Sequence, residues 1–314
     1  MKKIILSLSV LVIGFTLLKA QQLPDYTLAK QNLFNYNPAV AGTDEASVVY
    51  ITAKKQWTKI KGSPFSANLV YHQALKNEHI GLGGSLTTDF TGPTSYVGLN
   101  LSFAYHLIFS EYRPGVSERK TLSFGLSGSV VQYSINGSKI QLDIPQDDAL
   151  YAYKGSQFYP DAAFGIYYKS KKVTASLSVP QLLHLDVPIT SRQIDKDAEL
   201  KKMQHYFGFF SYKILLNKKA INNKKMYLEP IANVHYVIGA PFQGVVSLRY
   251  SLEDTFFAEI GYRSLSTMIF GAGMTIAKRF SLSYAYDFNL STARTDLGSV
   301  HELQLRFKFN ETHF

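Results

Sequence analysis

The sequence predicts an all-β fold: a transmembrane antiparallel β-barrel of about fourteen strands, preceded by a signal peptide. Three observations predict it. Apolar and polar residues alternate with period two along most of the chain, the polar face of that alternation is often small, and the one long apolar run stands at the very start.

That opening run reads as an export signal. Met1-Lys2-Lys3 is positively charged, Ile4 to Leu18 is apolar except at Ser7, Ser9, Gly14 and Thr16, and Ala20 offers a small residue before Gln21. Charge, apolar run and small residue in that order mark a removable leader. About 15 residues are too few for a spanning helix, which needs roughly 20. No other run long enough to cross as a helix follows, so a membrane location would have to be reached with strands. The chain divides into a signal peptide at 1–20, a short N-terminal periplasmic segment at 21–47 and a barrel at 48–314.

Alternating runs fall at 48–55, 65–72, 79–87, 95–107, 120–135, 157–169 and 172–179, then at 204–215, 226–236, 244–252, 255–263, 267–276, 280–288 and 301–309. The thirteenth is the clearest: Phe280, Leu282, Tyr284, Tyr286 and Phe288 alternate with Ser281, Ser283, Ala285 and Asp287. The fourth and fourteenth repeat it, with Val97, Leu99, Leu101, Phe103 and Tyr105 on one face, and Leu303, Leu305, Phe307 and Phe309 on the other run's apolar face. A soluble sandwich would turn bulky charged residues outward. Here the polar face carries Gly81, Gly83, Ser85 and Thr87, or Thr174, Ser176 and Ser178, which suits the inside of a closed wall whose other face meets lipid.

An even strand count lets both termini share the periplasmic side. The connections then sort by length: 136–156, 180–203 and 289–300 are long and external, whereas 169–172, 253–254 and 277–279 are tight and periplasmic. Two connections, 108–119 and 217–225, are long on the periplasmic side, and the alternation slips near 128–131, where a bulge or an overlong strand is expected. Trp57, Phe65, Tyr71, Tyr105, Tyr168, Tyr212, Tyr236, Tyr250 and Phe309 stand near strand ends, as interfacial girdles require.

Composition agrees with strands. Aromatic residues make up 14% of the chain against 18% charged residues. The absence of cysteine removes disulfides, thiolate zinc sites and thiol nucleophiles. The formal charge of +10 falls to +7 once Lys2, Lys3 and Lys19 leave with the signal, and no basic run forms a stripe, so no nucleic-acid partner is expected.

The polar face offers little chemistry. Eight histidines are scattered without metal-ligand spacing. Asp89, Ser95 and His301 form a tempting hydrolytic trio, but they belong to runs that are not neighbours, and 89–95 reads more simply as a Gly-Pro turn. Asp143, Asp147 and Asp148 fit no calcium loop. No enzyme, metal or cofactor is expected. Charges within strands are more informative: Glu229, Asn233, His235, Glu259, Arg263, Asp287 and Arg306 take lumen-facing phases, where they brace or plug the barrel or line a passage.

Ordered short motifs carry a family resemblance. Asn37-Pro-Ala-Val-Ala-Gly42, Lys55-Gln56-Trp57, Gly62-Ser63-Pro64, Gly81-Leu-Gly-Gly-Ser-Leu86 and Asp89-Phe-Thr-Gly-Pro-Thr-Ser95 open the series. Pro160-Asp161, His205-Tyr206, Gly261-Tyr-Arg-Ser264, Tyr284-Ala-Tyr-Asp287 and His301-Glu302 continue it across nearly the whole chain. Together they resemble the PorP/SprF family of outer-membrane proteins linked to the type IX secretion system. Val40 stands where the family commonly has an aromatic residue, and Val300 is inserted in the closing Gly-Ser-His-Glu.

The resemblance implies an outer-membrane barrel, without catalysis, that helps secrete or retain a surface protein such as a gliding adhesin. Its implied partners are that secreted cargo, components of the type IX secretion or gliding machinery, and outer-membrane lipid. Tyr151, Tyr153, Phe158 and Tyr159 are the aromatic anchors expected to bind the cargo's terminal region, with interfacial girdle residues as the competing assignment. The alternative function is an outer-membrane channel for small solutes, with the charged 180–203 loop as its constriction.

Overall fold

The computed structural model of the chain describes residues 24–309 apart from 45, 77, 114–115, 140–153, 184, 189–198, 202, 218–223, 239, 254, 265 and 292–293. The signal peptide assignment therefore lies outside the described residues.

Among the described residues seventeen strands follow one another: β1 (Ser47–Lys55), β2 (Phe65–Ala74), β3 (Ile80–Thr91), β4 (Thr94–Arg113), β5 (Val116–Asn136), β6 (Lys154–Lys169), β7 (Val173–Gln181), β8 (Asp186–Pro188), β9 (Glu199–Lys201), β10 (His205–Tyr212), β11 (Ile214–Leu215), β12 (Met226–Val237), β13 (Gln243–Leu252), β14 (Phe256–Arg263), β15 (Thr267–Ile276), β16 (Phe280–Asn289) and β17 (Val300–Phe309). Each pairs antiparallel with its sequence neighbour in the wall, β1 closes on β17, and β10 bridges β7 and β12. β11 prolongs β10 along β12. The result is a closed antiparallel barrel of fourteen strands with no free edge. Among the described residues, β8 and β9 stand apart from the wall, paired with each other in the connection between β7 and β10.

The wall obeys the alternation. Along β16, Ser281, Ser283, Ala285 and Asp287 are buried, whereas Phe280, Leu282 and Tyr284 are exposed. Outward Leu101, Leu126 and Leu177 are about two-thirds exposed to the surroundings, the position of lipid-facing side chains. Rings cluster toward both rims: Tyr71 stacks on Phe309 at 6.0 Å near one end, and Tyr206 approaches Tyr236 at 6.2 Å near the other. Among the described residues no helix is long and apolar enough to cross a membrane.

Two expectations need correction. The 108–119 connection is not a loop: β4 and β5 stay paired from Ile108↔Thr121 to Arg113↔Val116. At about 3.3 Å per residue these strands of 20 and 21 residues are longer than a bilayer requires, so their hairpin overshoots the short-turn end. Of the two readings of the slip at 128–131 the overlong strand is the one found: β5 spans 21 residues and its register runs unbroken on both sides, without a bulge. The apparent slip arises because inward Val131 is apolar, packing with Tyr159, Tyr96, Tyr133 and Leu185.

The second correction concerns residues 24–44, read from the sequence as part of a periplasmic segment. They lie inside the barrel. Two 3-10 turns, Ala29–Asn35 and Pro38–Val40, and Tyr36 between them press Leu33, Phe34, the Tyr36 ring, Ala39 and Val40 against the inward faces of the wall. The segment runs through the lumen between its two ends, with Pro24 lining a cavity at the end that carries the longer connections and Asp44 lining one at the short-turn end.

Candidate functional site

The lumen is where polar side chains of the wall meet the enclosed segment, and small residues make the fit possible. A Cβ on Gly81, Gly125 or Gly165 would collide with Ala41, with Ala39 or with the Asn37 side chain, respectively. These glycines let the wall accept the Asn-Pro-Ala stretch at backbone distance. Asn37 then fixes its register. Its side-chain oxygen accepts the Ala39 amide at 2.8 Å, capping the second 3-10 turn, and Nδ2 donates to Ser176 Oγ at 2.8 Å and to the Ile166 carbonyl at 2.9 Å. Tyr36 stacks nearly parallel on Phe207 with ring centroids 4.2 Å apart.

Charges secure the rest of the segment. The Thr27 and Leu28 amides donate to the two carboxylate oxygens of Glu302 at 2.6 and 3.0 Å, and Lys54 donates to the Asp25 carbonyl. Lys30 pairs with Glu229 at 2.6 Å, and Ser211 donates to the same carboxylate. Arg263 reaches Asp25 at 3.1 Å and Asp287 at 3.3 Å. Such buried charges need partners because burial otherwise removes their hydration without compensation.

Glu229, Asn233, His235, Glu259, Arg263, Asp287 and Arg306 all point into the lumen. Glu229, Arg263 and Asp287 bind the enclosed segment directly, Asp287 accepting from Thr27 Oγ1 at 3.0 Å. The others brace the wall: His235 bonds His205 at 3.0 Å, Glu259 receives Arg249 at 2.5 Å, and Arg306 donates to Ser281 at 2.9 Å. Asn233 is only half-buried on the same face. The sequence reading missed Asp25, Lys30, Asn37, Lys54 and Glu302 as lumen contacts. For Lys54 and Glu302 the strand phase carried the signal.

The aromatic residues proposed as anchors separate. Tyr151 and Tyr153 lie outside the described residues. Phe158 points outward and is 68% exposed, a girdle position, whereas adjacent Tyr159 points inward and is 6% exposed. Tyr159 lines a cavity of about 640 Å³ at the long-connection end, together with Trp57, Tyr96, Tyr133, Asp25 and Arg263. Leu185 packs on the same aromatic cluster, and Met203 lines the cavity, so both ends of the 182–204 connection border it.

Asp89 stands before the turn rather than in it. It belongs to β3 and accepts from Ser66 at 2.5 Å and Thr91 at 2.9 Å, while His301 bonds Tyr284 on the outer face. The acidic residues Asp143, Asp147 and Asp148 lie outside the described residues. Among the described residues no group of three His, Asp or Glu is placed to hold a metal.

With this geometry established, residues 18–307 match the family described as type IX secretion system membrane protein PorP/SprF. The chain belongs to that family. PorP/SprF membership and the closed barrel together make it an outer-membrane protein of type IX secretion. No curated protein matches the sequence. Solved structures similar to this PorP/SprF chain include a Pseudomonas aeruginosa FadL homologue (10% identity, 92% of this chain and 95% of that one, TM-score 0.46). The outer membrane protein Omp33 of Acinetobacter baumannii is 6% identical over 84% of this chain and 98% of its own, with TM-score 0.41. The CymD monoaromatic hydrocarbon channel is 10% identical over 90% of this chain and all of its own, with TM-score 0.42.

Proposed function

We propose that this PorP/SprF barrel assists secretion or surface attachment of a cargo protein by binding the cargo's terminal region at its long-connection end, without catalysing a reaction. The observation that carries this reading is the occupied lumen. Residues 24–44 are held in the lumen by three ion-paired or carboxylate-bonded anchors, Glu302, Glu229 and Arg263, and a lined cavity stands beside the segment at that end. Short turns lie on the periplasmic side of bacterial barrels, so the cavity would open outward. It is walled by the aromatic and guanidinium groups that favour peptide anchors, Trp57, Tyr96, Tyr133, Tyr159 and Arg263.

Deleting the gene is expected to strip one or a few surface proteins while general secretion by the same system continues. Surface proteins left in place with reduced uptake of a small solute would instead support the channel reading.

A further inference from the structure

The short-turn end holds a second cavity, of about 360 Å³, and its chemistry is different. Lys169, Lys171, Lys172, Lys213, Lys308 and Arg306 line it. The carboxylates there are Asp44 and Glu229, and Glu229 is already claimed by Lys30 at 2.6 Å. Burial acts to raise the Asp44 carboxyl, but Lys169, His72, Lys308 and Arg306 outweigh it and hold the group well below the usual carboxylate range. The field at this mouth is therefore strongly positive. Lys171 and Lys172 are exposed in the turn between β6 and β7, and neither they nor Lys308 make a side-chain hydrogen bond or ion pair among the described residues. Lys278 and Arg279 extend the charge along the next turn, where the Lys308 amide donates to the Arg279 carbonyl at 2.8 Å.

We propose that this cavity is a docking site for an acidic peptide segment of a partner protein on the short-turn side of the membrane. The cations come from three separate places, the turn at 170–172, Lys213 beyond β10 and the end of β17. A chain bearing several carboxylates can reach all three, whereas one small anion meets only a subset. Lysines are point charges on flexible stems, suited to a pliable partner, and the one guanidinium is turned to Ser281. The rings at the cavity, Tyr50 and Tyr167, are about 95% buried, so no aromatic face is presented to stack a nucleic-acid base. The volume lies within the range of ligand sites. This site is at the opposite end from the proposed cargo cavity and does not depend on that reading.

The test uses the purified full-length barrel in zwitterionic detergent and fluorescein-labelled hexaglutamate, followed by anisotropy, with labelled hexaglutamine as the neutral control. Hexaglutamate is expected to bind and hexaglutamine not to. K171E/K172E should weaken binding by about tenfold or more while keeping heat-modifiable gel mobility, and raising salt to about 0.5 M should weaken the wild type. Lys59→Glu, at the other end of the barrel, should leave binding unchanged. Absence of hexaglutamate binding, equal binding by K171E/K172E, or competition by pyrophosphate as effective as that by unlabelled hexaglutamate would overturn the proposal, the last by assigning the cavity to small anions.

Discussion

The Lys30 ammonium lies 2.6 Å from the Glu229 carboxylate, joining the enclosed segment to a wall strand across 199 positions of sequence. Both side chains are largely withdrawn from water, at 18% and 3% exposure. Removing only the anion strands the cation. Glu229→Leu is therefore expected to destabilise the enclosed segment by about 3 kcal/mol. Lys30→Met combined with Glu229→Leu should recover most of that loss. Limited proteolysis of the segment in the folded barrel reads the difference, and equal cleavage of single and double variants would refute the pairing argument.

Glu302 satisfies two backbone amides with its two oxygens. Glu302→Ala leaves both unpaired, at about 1–3 kcal/mol each. Hydrogen exchange at Thr27 and Leu28 should accelerate sharply, while amides in β13 and β14 remain protected. Uniform acceleration throughout the barrel would point to global unfolding instead.

Two glycines of β5, three residues apart and on opposite faces of the wall, should respond differently. An added Cβ at Gly125 runs into Ala39 and Pro38, whereas one at Gly128 meets nothing within 4 Å. Gly125→Val should displace the segment and raise single-channel conductance in planar bilayers; Gly128→Val should conduct as the wild type does. Identical traces for the two would contradict the packing.

The two faces of β16 give a fourth expectation. Leu282 is outward and Ser283 is 4% exposed in the lumen beside a cavity of about 150 Å³. Leu282→Arg should impair assembly, at about 2–4 kcal/mol if the site is near midplane. Ser283→Asn should fold, because the replacement stays polar and has room. Heat-modifiable mobility on gels measures both, and similar failure of the two would undo the facing assignment.

The wall was legible because period two is a property of the backbone itself: Phe280, Leu282 and Tyr284 could not face outward without turning Ser281 and Ser283 inward. Phe158 and Tyr159 illustrate the limit. Adjacent aromatics on one strand must take opposite faces, so treating them as one binding patch could not succeed. The lumen contents were hidden for a different reason. Residues 26–41 form short 3-10 turns without a strand or helix period, and their partners lie in strands remote in sequence. The small residues Gly81, Gly125 and Gly165 were visible as an inward face, but smallness alone does not distinguish a water-filled lumen from a wall shaped to receive a chain. The length of β4 and β5 was obscured by the charged residues of 108–119, which pair as strand beyond the apolar band.

The closure of β1 on β17 has a kinetic consequence. Thr52 and Gln304 bond across that seam at 3.1 Å although 252 positions apart, so it joins the ends of the longest loop in the wall and carries a high ordering cost. Glu302 and Lys54 flank the same seam and grip residues 25–28. Sealing the cylinder and holding its contents thus draw on the same residues: the inner chain lies like a mandrel within the staves, and with the hoop shut it can leave only by sliding out lengthwise.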